Sequence, residues 1–464
     1  MTDPTSPIPG IRTGRQPVRG HDDPAGDLRV FAVQYRLDVA HADSYESYRS
    51  AMRELMDSLV VPHLVPGRPA LVVFPEAVGL PTVAIGARGE AFRALPSAPA
   101  VEAPAALAAG MGMLAAAYER QLVGYIGLFG ELDPRSALLL AATDTAARAF
   151  SQTFSDIARD YGVWVVAGNY QPPYRETRDP EEVALFGDPE VADGVAYVAT
   201  TPHVTNATFL WSPDTVRADA PAGESNLVVR NEKIPLTDME LDFLGLAEGP
   251  AEGEDARRNA GWVDVAGFRV GFATSLPAFA YGYPFGQRPD GFDPFADLRE
   301  SYAAAQDALD VDVMIQADAN PGPWAFPVES GAWQPLEWMG STWRAVADPT
   351  VRFRYNVTPM MTGNLVDLFF DGQSSITSRV ASGDPARFVG NGESGTAEYD
   401  VYAGDKTEFL AISDWVVDDG PREELVQLTG ALSPGSGHPL EGQQIETAIY
   451  ADLVLPDGDG GARA

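Results

Sequence analysis

Short runs of β-branched and other apolar residues recur along this 464-residue chain with helical segments between them, and this constrains the fold more than any other feature. "DLRVFAVQYRL" at 27–37 is apolar on both alternating faces, as a strand buried on both sides must be. Residues 43 to 60 follow with helical spacing, with Asp43 or Ser44 placed to cap the first turn. "PALVVFPEAVG" at 69–79 is a second β-branched run. Residues 136 to 162 read as one long helix closed by Gly162, and "VWVVAGNY" as the strand after it. Strand, helix, strand is the opening of a layered α/β protein. The polar stretch 171–194 reads as a loop, and "VAYVATTPHV" and "ATFLWSPDT" as a pair of strands. From 261 the pattern resumes with the strand pair "WVDVAGFRVGFATS", a helix over 296–308, the strand "VDVMIQADA" and a helix over 335–347. "FRYNVTPMM", "LVDLFFDGQSSITSR" and "EFLAISDWV" are strand-like. The ordered domain is expected over 28–431, between a disordered arm (1–27) and an irregular tail (432–464) rich in Gly, Pro and Asp.

Charge and composition remove several classes of function. With 32 Lys and Arg against 66 Asp and Glu, the net charge of −34 repels phosphate backbones and anionic lipid surfaces, so nucleic acid and membrane are not expected partners. The chain has no cysteine, which excludes disulfides, thiolate metal sites and a cysteine nucleophile. His21, His41, His63, His203 and His438 are scattered without ligand spacing, so no metal site is expected, nor any cofactor. No apolar run reaches the roughly 18 residues that cross a bilayer, and the first 28 residues lack a signal-peptide core; the expected location is the cytoplasm.

Three strand ends carry reactive side chains, and strand ends are where α/β proteins place functional groups. Glu76 closes "LVVFPE", Lys233 follows "NLVVRNE" and leads "KIPLTDME" to Glu240, and Ser275 closes "FRVGFATS". A buried carboxylate has its pKa raised by desolvation, and a nearby ammonium lowers it again, so a paired Glu and Lys suits general-base work near neutral pH. An ammonium fixed beside a reacting carbon also stabilises developing negative charge without reorganising.

"FPE", "KIPLTDME" and a glycine-initiated strand ending in a small nucleophilic residue, in that order, resemble the nitrilase, or carbon–nitrogen hydrolase, superfamily. The resemblance runs over about residues 28 to 380 in motif order. It implies an αββα sandwich of two mixed β-sheets flanked by helices, assembled as a homodimer or larger oligomer. It also implies a Glu–Lys–nucleophile site: Glu76 the general base, Lys233 the oxyanion-stabilising cation, and Glu240 a second carboxylate orienting lysine or substrate. The family nucleophile is a cysteine four residues after the strand glycine, and here Gly271 leads to Ser275. A hydroxyl needs a stronger base than a thiol. The flanking Leu276, Pro277 and Ala278 depart from the family as well, which favours divergence over a single Cys→Ser change.

The function so implied is hydrolysis of a small amide, nitrile or carbamoyl compound at a non-peptide C–N bond, reduced or lost through Ser275. The alternative is a catalytically silent binding or scaffold protein of the same fold. A Ser-His-Asp hydrolase lacks its Gly-x-Ser-x-Gly elbow. The Leu276 N–H is a candidate oxyanion donor, and Asn320 and Trp324 in "QADANPGPW" are candidate substrate contacts.

Overall fold

The computed structural model describes residues 10–99, 105–275, 291–328, 333–347, 354–379, 388–390 and 408–455. Its strands in chain order are β1 (Gly14–Arg15), β2 (Arg19–His21), β3 (Leu28–Arg36), β4 (Ala70–Val73), β5 (Trp164–Gln171), β6 (Tyr174–Thr177), β7 (Ala196–Ala199), β8 (Thr205–Trp211) and β9 (Leu227–Glu232). There follow β10 (Val263–Val265), β11 (Phe268–Phe272), β12 (Val313–Ile315), β13 (Tyr355–Thr358), β14 (Met361–Leu365), β15 (Leu368–Phe370), β16 (Ser375–Ser378), β17 (Glu408–Ile412) and β18 (Ile445–Leu453).

Two mixed sheets hold nearly all of them. The first runs β1-β18-β3-β4-β5-β8-β9, with β14 added to β3, β15 to β14 and β2 to β18; the second runs β10-β11-β12-β13-β16-β17. In the first, β3, β4 and β5 are parallel. In the second, β11, β12 and β13 are parallel. Alternation along each strand decides the layers. Leu28, Val30 and Ala32 of β3, Leu71 and Val73 of β4 and Leu210 of β8 pack against Val270 and Phe272 of β11, Val313 and Ile315 of β12 and Val357 of β13, sheet face to sheet face. The intervening Phe31, Val33 and Tyr35 face outward onto Tyr48, Met52 and Leu55 of the helix Tyr45–Leu55 and onto Phe150 and Phe154. On the far side, Met314 of β12 meets Leu298, Tyr302 and Ala305 of the helix Leu298–Ala308. The order of layers is therefore helix, sheet, sheet, helix, as the sequence implied. Ser44 caps the helix Tyr45–Leu55, its side chain accepting from the Ser47 N–H.

The structure corrects five expectations. Residues 10–27 are not a free arm throughout: β1 and β2 pair in parallel with β18. The tail from 432 is not irregular: β18 is a nine-residue buried strand paired antiparallel along the whole of β3. The two segments complete each other across more than 400 residues of sequence, which local composition does not register. The stretch 171–194 holds β6 and the helix Pro180–Phe186, capped by Asp179. Because β7 pairs with β6, β8 takes β5 and β9 as partners instead of β7. The long helix over 136–162 is broken into Ala137–Ala141, Thr143–Ala146, a π-turn Ala147–Ser151 and Gln152–Tyr161. Gly162 closes it in the left-handed conformation at φ 66°, where glycine has no steric penalty.

Candidate active site

Glu76, Lys233, Glu240 and Ser275 meet in one pocket. Glu76 lies three residues beyond β4, and the chain there presses onto β5. Gly168 N–H donates to the Pro75 carbonyl at 3.2 Å. A Cβ on Gly168 would fall 1.8 Å from the Glu76 carbonyl oxygen, so only glycine permits this approach. Lys233 follows β9 directly and its N–H donates to the Asn206 carbonyl of β8 at 2.9 Å. Ser275 extends β11 along β12, its N–H donating to the Ala317 carbonyl at 2.8 Å. It sits at φ 69°, a left-handed conformation unusual for a residue with a side chain and common at functional turns. Thr208 of β8 and Thr274 join hydroxyl to hydroxyl at 2.8 Å, which ties the Ser275 turn to the opposite sheet.

The polar centre is dense and buried. Lys233 Nζ donates to Glu76 Oε1 at 2.7 Å and lies 2.9 Å from Glu240 Oε2 and 3.0 Å from Glu240 Oε1. Asn206 Nδ2 donates to Glu76 Oε1 at 2.6 Å and Glu240 Oε1 at 2.5 Å. Both donors fall on Oε1 of Glu76, which leaves Oε2 as the oxygen available to a reacting group. The remaining oxygen of Glu240, Oε2, accepts from the Thr237 N–H at 2.8 Å and its hydroxyl at 2.9 Å, while the Glu240 N–H donates back to the Thr237 hydroxyl at 3.4 Å. This reciprocal pair is a capping box opening the turn Met239–Phe243, and it fixes the carboxylate toward Lys233.

The same burial acts differently on each group. Desolvation is the largest influence on Glu76 and, with the negative charge of Glu240, outweighs Lys233 and pushes its carboxyl above the usual range. Burial would also raise Glu240, but the lysine charge and the Thr237 N–H hold it below the usual range. Burial would lower Lys233, yet the two carboxylates raise it, so it is an ammonium at any working pH. Glu240 and Lys233 form the fixed ion pair, and Glu76 is the carboxyl that can exchange a proton. Two carboxyls pushed apart by their surroundings are the usual mark of divided acid and base roles.

Asp318, three residues beyond β12, is a group that sequence reasoning missed. It is fully buried, with Oδ2 accepting from Trp338 Nε1 at 3.1 Å and Oδ1 without a hydrogen-bond partner within reach. Burial first and the Glu76 charge second push its carboxyl well above the usual range, and the facing Ser275 hydroxyl offsets this only in part. Its surroundings therefore favour the neutral form of the Asp318 carboxyl, with the Ser275 hydroxyl facing it. The available signal was position: it ends a strand parallel to and beside that of Ser275. Asn206 was missed for a different reason, because a mid-strand asparagine in "TNATFLW" gives no local hint of which carboxylates will face it.

Two candidate contacts are corrected. Asn320 braces its own loop, donating to the Asp371 carbonyl at 3.0 Å and accepting from Gln334 Nε2 at 3.0 Å; its neighbours Ala319 and Pro321 reach the pocket instead. Trp324 is buried among Trp333, Trp415 and Met360, away from the pocket lining. A tight Asn-Pro-Gly-Pro turn separates it from the strand end, so residues expected on one side are divided between pocket and core. Leu276 lies outside the described residues. Among the described residues no group of three His, Asp or Glu side chains is placed to hold a metal ion, and no helix is long and apolar enough to cross a membrane.

The fold and site thus define a two-sheet α/β sandwich with a buried Glu–Lys–Glu cluster beside a serine at the strand ends. No protein-family model and no curated protein matches the chain. Solved structures to which it is similar include the amidase from Nesterenkonia sp., carrying the acetamide moiety of fluoroacetamide on its active-site cysteine. The identity is 12%, with 77% of this chain and 84% of that chain covered and a TM-score of 0.39. A mutant of that amidase, described as from the nitrilase superfamily, is 14% identical over 76% of this chain and 84% of that one, with a TM-score of 0.37. A carbon–nitrogen hydrolase from Helicobacter pylori is 11% identical over 76% and 81%, with a TM-score of 0.39.

Proposed function

We propose that the chain is a hydrolase of non-peptide carbon–nitrogen bonds, with Ser275 in the place of the nucleophile and Glu76 as its base. The observation that carries this reading is the Lys233 ammonium, locked 2.7 Å from a proton-exchanging carboxyl and 2.9 Å from an ionised one, in the pocket that Ser275 enters. Glu76 takes the Ser275 hydroxyl proton through Oε2 as Oγ adds to the carbonyl carbon of an amide. The resulting oxyanion is stabilised by Lys233, and a single donor in that role is worth about 10²–10³ in rate. Glu76 returns the proton to the leaving nitrogen, the C–N bond breaks and the acyl group stays on Oγ. Water, deprotonated by Glu76, then adds to the acyl carbon and releases the acid and free Ser275. Asp318 would act as a positioning residue, its carboxyl facing the Ser275 hydroxyl between attacks.

The same geometry makes the chemistry slow. Among the described residues no hydrogen bond joins Ser275 to Glu76, and the hydroxyl faces Asp318. This favours, as the second reading, a binding protein that has kept the pocket and lost turnover. Hydrolysis of a panel of amides, nitriles and N-carbamoyl compounds separates the two. The chain is expected to turn over weakly, Ser275→Ala not at all, and Ser275→Cys faster than either, since a carboxylate deprotonates a thiol far more readily. Inactivity of all three with ligand binding retained supports the binding protein.

A further inference from the structure

The charged cluster lines a cavity of about 240 Å³ whose other described lining residues are mostly apolar. Among the described lining residues, the ionisable groups are Glu76, Lys233 and Glu240 together with the phenol of Tyr170. Phe92, and Leu107, Met111 and Leu114 from one helix, line the cavity together with Leu138 and Phe370. The helix Ala105–Ala117 bears no charged residue along its length. Its position is built in: the Asp367 carboxylate, between β14 and β15, accepts from the Ala106 N–H at 2.8 Å and the Leu107 N–H at 2.9 Å. Gly110 brings the same helix so close to Phe92 that a Cβ there would fall 2.8 Å from the ring.

We infer that the site takes neutral substrates carrying an extended aliphatic or aryl chain, with the C–N group at the Glu–Lys–Ser end and the chain against the helix Ala105–Ala117. This rests on the reading of that end as a C–N hydrolase site and narrows the small compounds first expected. It also excludes N-carbamoyl amino acids and other substrates with a second charge. The one cation in the described lining already serves two carboxylates, and an unpaired carboxylate in an apolar cavity is strongly disfavoured.

A series of straight-chain primary amides from acetamide to decanamide tests this, measured both as kcat/KM and as Kd by calorimetry. Each methylene that enters the cavity adds about fourfold, from the transfer of one CH₂ out of water, until the cavity is full. Leu114→Trp fills the far end and shifts the optimum to shorter chains. Falling Kd along the series without turnover by any member sustains the chain-binding inference and overturns the catalytic reading. Turnover of acetamide with no gain along the series overturns the inference and leaves the catalytic reading standing. Absence of both binding and turnover, or a preference for N-carbamoyl amino acids, overturns the inference.

Discussion

Lys233 sits with its Nζ between two carboxylates and away from water, so it neutralises charge that the fold has no other described means of balancing at that point. Removing one partner of a buried pair leaves the other uncompensated, typically at about 3–5 kcal/mol. Lys233→Ala is therefore expected to lower unfolding stability by that amount in denaturant titration, whereas a solvated lysine would cost almost nothing. An unchanged midpoint would show that the cluster opens to water in solution. At this scale the sequence was informative where a side chain followed a strand end. Glu76 and Ser275 each stand just past a buried strand, Lys233 just past a half-buried one, and Glu240 is tied to Lys233 by seven residues of one motif. Asp318 and Asn206 were illegible because their roles come from contacts with distant segments. Asn206 reaches Glu76, 130 positions away, and Asp318 faces Ser275 across parallel neighbours.

Among the elements, the strands that read clearly are those built on short apolar runs: β3, β4, β5, β11 and β12 all lie inside the two sheets. Period-2 and period-3.6 patterns survive in sequence because burial acts on every second or every third to fourth residue. The helices over 298–308 and 334–347 fall within two residues of expectation. β18 was missed because its apolar run is set among Gly, Pro and Asp, and its partner β3 lies at the opposite end of the chain. The contact of β4 with β5 supplies a prediction at this scale. Gly168→Ala would drive a methyl into the Glu76 backbone, and overpacking of that kind costs about 1–3 kcal/mol. Because the displaced segment carries the proposed base, the substitution is expected to lower both the melting temperature and kcat. A full retention of kcat would show that Glu76 is not the group whose position matters.

For the molecule as a whole, the layered arrangement explains why reactive side chains from separate segments converge. Glu76, Ser275 and Asp318 all lie just beyond the ends of parallel strands, two sheets meet face to face, and the Thr208–Thr274 hydroxyl contact fixes one sheet against the other at the site. The apolar lining comes in part from the helix Ala105–Ala117, which lies outside the two sheets, while the sheets' strand ends carry the charged cluster. The net charge of −34 belongs to the molecule and not to the site, where Lys233 neutralises the ionised Glu240 and Glu76 and Asp318 are pushed toward their neutral forms. Such acidity disfavours association with polyanions and leaves a neutral apolar substrate unaffected.

The central claim is that Ser275 becomes covalently acylated by a C–N substrate with Glu76 as base and Lys233 opposite the oxyanion. Intact-protein mass spectrometry tests it directly, using the chain and its Ser275→Ala and Ser275→Cys forms after incubation with a neutral medium-chain acyl anilide. The account predicts a mass increase of one acyl group on the unsubstituted chain, faster accumulation on Ser275→Cys, and no increase on Ser275→Ala, with the adduct mapped to position 275. Acylation of Ser275→Ala at the rate of the unsubstituted chain, or an adduct mapped to another residue, would contradict it.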